Sequence, residues 1–168
     1  YPLPEAQLDR FMFNIRVDYP SLSEEEAIIK RVSGTYRANI EKQLSGETVT
    51  KLQNVVRRVP AADHGVSYAA QIARATRPKE EDSPDFVKEM VSWGAGPRAG
   101  IYLLLAAKAR AILQGRYHTT TADVRAVAHP VLRHRVLTTF NAEAAGVTSD
   151  DIVTMLVDQF KPSSDLEV

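Results

Sequence analysis

Apolar and polar residues change rhythm along this chain, and each change marks an element. Phe11, Phe13, Ile15 and Val17 alternate with Met12, Asn14 and Arg16, the period of a strand, which Asp18-Tyr19-Pro20 stops. A lone strand leaves a row of unpaired backbone groups, so its partners are expected outside the chain or among the later helices. Beyond Pro20 the period becomes helical. Ser23 with Glu26 reads as a capping box, Ile29, Val32, Tyr36 and Ile40 recur at helical spacing, and Gly34-Thr35 weakens the middle. Leu52, Val55, Val56 and Val59 predict a second helix ending at Pro60. Asp63 reads as the cap of a third, with Val66, Ala69, Ile72 and Ala73 facing inward and Pro78 closing it.

Lys79-Glu80-Glu81-Asp82 reads as a solvated connector, and Ser83-Pro84 as the cap and first turn of a short helix reaching Trp93. Gly94-Ala95-Gly96 breaks the chain. Pro97 restarts it in the longest helix, which runs to Gln114 with Ile101, Leu104, Leu105, the Lys108 stem and Ile112 on one side; Gly115 ends it. Thr120 or Thr121 caps a helix from Ala122 to about Ala128, and Pro130 kinks or interrupts the segment after it. Val136 to Phe140 is β-prone, Asn141 to Gly146 reads as a turn, and Ser149-Asp150-Asp151 caps a last helix carrying Ile152, Met155, Leu156 and Phe160. The predicted fold is an all-α helical bundle with a short β element and an N-terminal strand. Residues 162–168 read as a flexible tail.

Composition narrows the function. The 168 residues are 44% hydrophobic and 25% charged, in the range of globular proteins. Twenty-one basic residues balance 21 acidic ones, so no global field favours nucleic acid or an anionic membrane. With no cysteine there is neither a disulfide nor a thiolate metal site, and a reducing cytoplasm is the natural compartment. No apolar run approaches the roughly 18 residues that span a bilayer. The opening Tyr-Pro-Leu-Pro-Glu has no signal-peptide character and no initiator Met, which favours a piece of a longer protein.

Two arginines stand in settings that could address a phosphate. Arg98 follows Pro97 in the first turn of the longest helix, where the dipole is positive and a cation is unfavourable by about 0.3–1 kcal/mol. A bound anion would compensate, with Gly94 and Gly96 allowing close approach and the helix N–H groups free to donate. A carboxylate such as Glu89 would compensate as well, and spacing alone favours that ion pair. Arg10, beside Asp9 before a strand, is by the same physical reasoning a structural ion pair. No glycine is followed by Lys, so no G-x-x-x-x-G-K-[ST] phosphate loop is present. His64, His118, His129 and His134 form no metal spacing, and no Ser/His/Asp arrangement or carboxylate couple stands out. Arg125, Arg133 and Arg135, with His134, form a local basic cluster. It reads as helix-end cations or, as an alternative, a DNA-binding face. Trp93, Phe86 and Tyr102 read as core.

Taken in order, these segments resemble the C-terminal part of MoxR-type ATPases of the AAA+ superfamily. The resemblance runs from residue 1 to about 160. It rests on Tyr1-Pro2-Leu3-Pro4-Glu5-Ala6-Gln7-Leu8-Asp9-Arg10-Phe11, Arg74-Ala75-Thr76-Arg77-Pro78, Trp93-Gly94-Ala95-Gly96-Pro97-Arg98-Ala99, Ala107-Lys108-Ala109-Arg110-Ala111 and Ala128-His129-Pro130-Val131-Leu132-Arg133-His134-Arg135. It implies that residues 1–20 are a remnant of the α/β core, 21–161 a helical lid, and 162–168 a tail. It also implies that Arg10 is an arginine finger acting on a neighbouring subunit's nucleotide, and that Arg98 is the sensor 2 arginine, with Gly96 and Pro97 beside the phosphate. An arginine supplied in trans can be worth about 10³–10⁵ in rate. Further implications are ATP and Mg²⁺ in the full-length protein, a homo-oligomeric hexameric ring, chaperone-like remodelling of partners, and von Willebrand factor A-type proteins among those partners. Both Walker motifs and the sensor 1 residue are absent, so this chain alone is expected neither to bind ATP tightly nor to hydrolyse it. The alternatives from other classes are a helical interaction module without a nucleotide role and the DNA-binding domain built on the basic cluster.

Overall fold

A computed structural model describes residues 3–161. In chain order its elements are α1 (Glu5–Leu8), α2 (Leu22–Val32), α3 (Gly46–Arg58), α4 (Asp63–Ala75), α5 (Asp85–Met90), β1 (Val91–Trp93), α6 (Pro97–Leu113), α7 (Thr121–Ala126), α8 (Ala128–Leu132), β2 (Leu137–Thr138), α9 (Phe140–Ala144) and α10 (Ser149–Gln159). They fall into two compact units, Ile15–Gln53 and a larger one that joins Tyr1–Asn14 to Asn54–Val168.

The larger unit is a helical bundle centred on α6, which packs on α4, α7 and α8, while α10 closes over α8 and α4. Ile72, Leu103, Leu132, Ile152 and Leu156 are its largest fully buried side chains. Each contributes about 1.5–3 kcal/mol by leaving water. The buried face of α6 is not the predicted one. Ala99, Leu103, Ala106, Ala107 and Ala111 point inward, whereas Ile101 is exposed. This helix is apolar nearly all round, so its bulky residues do not mark the inner face; small residues do, because they let helices approach. A Cβ added at Gly100 would lie 3.8 Å from the Ala69 carbonyl oxygen and 3.9 Å from the Ala73 Cβ. The α4 stripe is as predicted at Ala69, Ile72 and Ala73, but Val66 faces outward.

Helix ends follow the capping rules, with shifts. Pro97 is the first residue of α6 behind an extended Gly96, and Gly115 ends that helix at φ +72°. Thr120 caps α7 with Asp123 reaching back to its backbone, and Thr148 caps α10 with Asp151. The α10 cap thus falls one residue before Ser149, and Asp63 opens α4 behind Ala62 without capping it. The short helix after Pro84 stops at Met90, since Val91–Trp93 pairs antiparallel with β2. Ser92 Oγ extends that ladder by donating to the carbonyls of Leu137 (3.1 Å) and Thr138 (3.0 Å). Phe140, read in the β-prone stretch, and Asn141–Ala144, read in a turn, are instead helix α9, because Thr139 accepts a cap bond from the Ala142 N–H.

The N-terminal strand does not form: residues 13–20 carry no regular structure. Its alternation finds no partner ladder among the described residues, and the Asn14 N–H donates instead to the Pro130 carbonyl at 2.8 Å. Phe11, Phe13, Ile15 and Val17 are all exposed, while Met12 packs on the core. In the smaller unit, α2 is capped by Ser21 with Glu24, the first of two overlapping S-x-x-E patterns, rather than by Ser23. It stops at Val32, just before Gly34, and neither α2 nor α3 carries a buried residue. Residues 162–168, read as a tail, lie outside the described residues.

Candidate phosphate-facing site

The site grows out of the loop between β1 and α6. A Cβ on Gly94 would come within 2.3 Å of the Thr76 carbonyl oxygen and 2.7 Å of the Arg77 Cα, so only glycine allows this approach of two backbones. The next residue is tied on both sides: the Ala95 N–H donates to the buried Thr76 hydroxyl (2.8 Å), and its carbonyl accepts from Arg77 Nε (2.9 Å). Thr76 in turn donates to the Ala73 carbonyl at 2.7 Å. Arg77 and Arg74 share Glu80 at 3.2 and 2.6 Å, so this part of the charged connector is a built corner and not merely a solvated loop. Gly94 therefore serves the fold. Gly96 differs, with open space where a Cβ would stand.

The rigid loop delivers the start of α6, whose first turn holds no acidic residue and no side-chain cap. The compensating carboxylate for Arg98 is not Glu89. It is Asp9, 89 positions earlier, which accepts from Arg98 Nη1. The other oxygen of the same carboxylate accepts from Arg135 Nε at 3.0 Å. One acid thus joins two arginines from distant parts of the chain. Arg98 remains 44% exposed and Arg135 only 1%.

Arg10 does not pair with its neighbour Asp9, whose charge is spent on Arg98 and Arg135. Its side chain is exposed and has no ion pair among the described residues, while its carbonyl accepts from the Tyr102 hydroxyl at 3.0 Å. Tyr102 stands one turn after Arg98 in α6. Its ring centre lies 5.2 Å from the Arg135 guanidinium carbon, a cation–π contact. Trp93, expected in the core, is 65% exposed instead. With Glu5, Asp9, Gly96 and Arg135 it lines a cleft of about 320 Å³ between the N-terminal segment and the start of α6.

Burial and the neighbouring Arg135 hold the His134 imidazole below its ordinary pKa, against the pull of the Phe11 carbonyl and Asp9. Its Nε2 lies 3.0 Å from that carbonyl, and its Nδ1 is buried without a partner among the described residues. Burial likewise lowers Arg135, opposed by the Asp9 carboxylate.

The basic cluster is not a free cationic surface. Arg135 is consumed by Asp9 and backbone carbonyls. Arg133 pairs with Asp150 (3.0 Å) and the Asn14 carbonyl (3.3 Å). Arg125 serves the Val157 carbonyl and Asp158, the latter at 3.5 Å. A DNA-contacting face needs guanidiniums free for phosphates, and these three hold the bundle together instead. Among the described residues no group of three or more His, Asp or Glu side chains could hold a metal ion, and no helix is long and apolar enough to cross a membrane.

Residues 85–156, from α5 into α10, match the family model of the AAA lid domain. That stretch is similar to AAA lid domains, and the chain as a whole is similar to proteins of the MoxR type. It is 36% identical over 157 residues to the chaperone MoxR1 of Mycobacterium tuberculosis, covering 94% of this chain and 41% of that protein. It is 27% identical to the protein MoxR of Paracoccus denitrificans, covering 94% of this chain and 49% of the relative. A crystal structure of a candidate ATPase from Cytophaga hutchinsonii superposes with a TM-score of 0.86 at 30% identity, over 98% of this chain and 50% of that one. The chain spans about half the length, or less, of these relatives. The sequence singled out Gly96, Pro97, Arg98 and Arg10 as phosphate-facing candidates but not Asp9, Tyr102 and Arg135, whose side chains the structure ties to Arg98 and to the Arg10 backbone. An acid directly before Arg10 and an aromatic four residues after Arg98 were the signals available.

Proposed function

We propose that this chain is the lid region of a MoxR-like AAA+ ATPase that couples ATP binding and hydrolysis to chaperone-like remodelling or maturation of partner proteins. In this reading Arg98 is the sensor 2 arginine and, with the backbone at Gly96 and Pro97, faces the nucleotide's terminal phosphates. Arg10 is the arginine finger, serving the nucleotide of the next subunit in a hexameric, cytoplasmic ring. A von Willebrand factor A-type protein is a fitting partner. ATP and Mg²⁺ belong to the full-length protein: the residues here offer arginines and helix N–H groups for phosphate but no carboxylate cluster for the metal among the described residues.

The observation that carries the reading is the single carboxylate, Asp9, that sits beside Arg10 in sequence and on Arg98 in space. It ties the Arg10 segment to the start of α6, while the Arg10 side chain has no ion pair among the described residues, which supports a phosphate role for both arginines. An isolated interaction module has no need of such an arrangement, although the exposed apolar residues of α2 and α3 suit contacts with neighbours. The test is ATP turnover by the full-length protein. Arg98→Ala lowers it by about 10²-fold, the scale of removing one preorganised charge donor, with the fold intact. Unchanged turnover would remove Arg98 from the site. With no phosphate loop, the 168-residue chain alone is expected to show no turnover.

A further inference from the structure

Four consecutive backbone carbonyls, from Asp9 to Met12, are all taken by side chains of the bundle. Arg135 donates to those of Asp9 (2.7 Å), Phe11 (2.6 Å) and Met12 (3.5 Å), besides the Asp9 carboxylate and the Val131 carbonyl. The Tyr102 hydroxyl takes that of Arg10 at 3.0 Å, and His134 Nε2 approaches that of Phe11 at 3.0 Å. A buried guanidinium with every donor direction used is a clamp on backbone rather than a ligand site. What it clamps is the one short stretch that displays Arg10, whose own side chain has no partner among the described residues. Backbone fixed on both sides of a free cationic side chain is an arrangement for presenting that side chain to something outside.

The second half of the arrangement is the sharing of Asp9. Its carboxylate is divided between the clamp, Arg135, and the half-exposed Arg98. Arg98 and Tyr102 are one turn apart on α6, so the same helix face holds the Asp9 carboxylate and the Arg10 carbonyl. A shift of Arg98 or of this first turn therefore reaches the Arg10 backbone through two bonds.

The geometry points to Asp9 as a positioning residue that couples the two arginines. It holds Arg98 when no phosphate is bound and, anchored by Arg135, sets where Arg10 stands. This rests on the phosphate-facing reading of both arginines. Phosphate and Asp9 then compete for one guanidinium, so removing the Asp9 charge frees Arg98 for nucleotide while loosening the Arg10 segment. Asparagine keeps the size and one acceptor oxygen of the aspartate.

The experiment is steady-state ATP hydrolysis by the full-length protein carrying Asp9→Asn, Arg98→Ala, the two together, and Tyr102→Phe. Asp9→Asn is expected to lower KM about two- to fivefold, the span of a half-exposed ion pair, and to lower kcat at the same time. A merely structural role lowers the active fraction and leaves KM where it was. The KM effect is expected to vanish when Arg98 is already alanine, and Tyr102→Phe is expected to lower kcat with KM unchanged. If Arg98→Ala impairs turnover but Asp9→Asn leaves KM unchanged or raises it, the coupling is wrong while the phosphate role of Arg98 stands. If Arg98→Ala has no effect on either constant, the phosphate reading itself fails and the coupling with it. Should Asp9→Asn not fold, Tyr102→Phe decides, and wild-type kcat there overturns the coupling.

Discussion

Asp123→Asn should destabilise the bundle, and its cost can be worked from the surroundings. Asp123 is fully buried at the start of α7. It accepts from Arg110 Nη1 (2.6 Å), from Arg116 Nη1 and Nη2 (2.7 and 2.5 Å), and from the Thr120 N–H and hydroxyl (3.0 and 3.1 Å). These bonds pin the last turns of α6 and the loop after Gly115 to α7. Asparagine removes the charge and turns one acceptor into a donor that faces guanidinium donors. Breaking a buried ion pair costs about 3–5 kcal/mol, but Arg110 and Arg116 are 39% and 32% exposed and can turn toward water. A loss of about 2–4 kcal/mol is expected, with the weakened helix cap included. That is a large part of the about 5–15 kcal/mol that holds a typical domain. Urea unfolding followed by circular dichroism measures it as a lower midpoint at unchanged slope. The pH dependence gives a second check. Burial by itself raises the Asp123 pKa, but the bonds from Arg116, the Thr120 backbone and Arg110 outweigh it and hold the carboxyl well below the usual carboxylate range. A depressed folded pKa gives stability that is complete above the unfolded value of about 3.9 and is lost as pH falls below it. The gap between wild type and Asp123→Asn should therefore be constant from about pH 7 to 5 and narrow below about pH 4. A gap under about 0.5 kcal/mol at neutral pH, or one unchanged down to about pH 3, would mean that the buried carboxylate does not stabilise the fold through its charge.

The loop before α6 yields two more predictions. Gly94→Ala forces a Cβ against the Thr76 and Arg77 backbone and should cost about 1–3 kcal/mol or more in thermal unfolding, whereas Gly96→Ala, with open space, should change stability by about 0.5 kcal/mol at most. Thr76→Val keeps the shape but orphans the buried Ala95 N–H, so a loss of about 1–3 kcal/mol is expected, with Thr76→Ser close to wild type in the same assay.

The boundaries of the long helix were legible because proline and glycine punctuate them at Pro97 and Gly115, and the α4 stripe because Ile72 and Ala73 stand between Gln71 and Arg74, with Ala69 one turn earlier. The inner face of α6 was not, since its inward residues are mostly alanines and its outward ones include Ile101. Alternation at residues 11–17 predicted a strand, but a strand is a property of a ladder, and none is present for it among the described residues. The site was half legible. Local chemistry marked Arg98 at a helix start and Arg10 beside an acid, yet local reading paired each with the wrong carboxylate. The bond that matters joins Asp9 to Arg98 across 89 positions. Likewise Arg133-His134-Arg135 reads as helix-end cations or a DNA-binding face, both exposed, while Arg135 is buried against a carboxylate and four backbone carbonyls.

The most direct test of the account is the full-length protein carrying Arg10→Ala, assayed for ATP affinity and for turnover on the same preparation. A finger that acts in trans on the transition state should leave equilibrium ATP binding within about twofold while turnover falls by about 10³-fold or more. Wild-type turnover by Arg10→Ala, in a ring that assembles normally, would contradict the account.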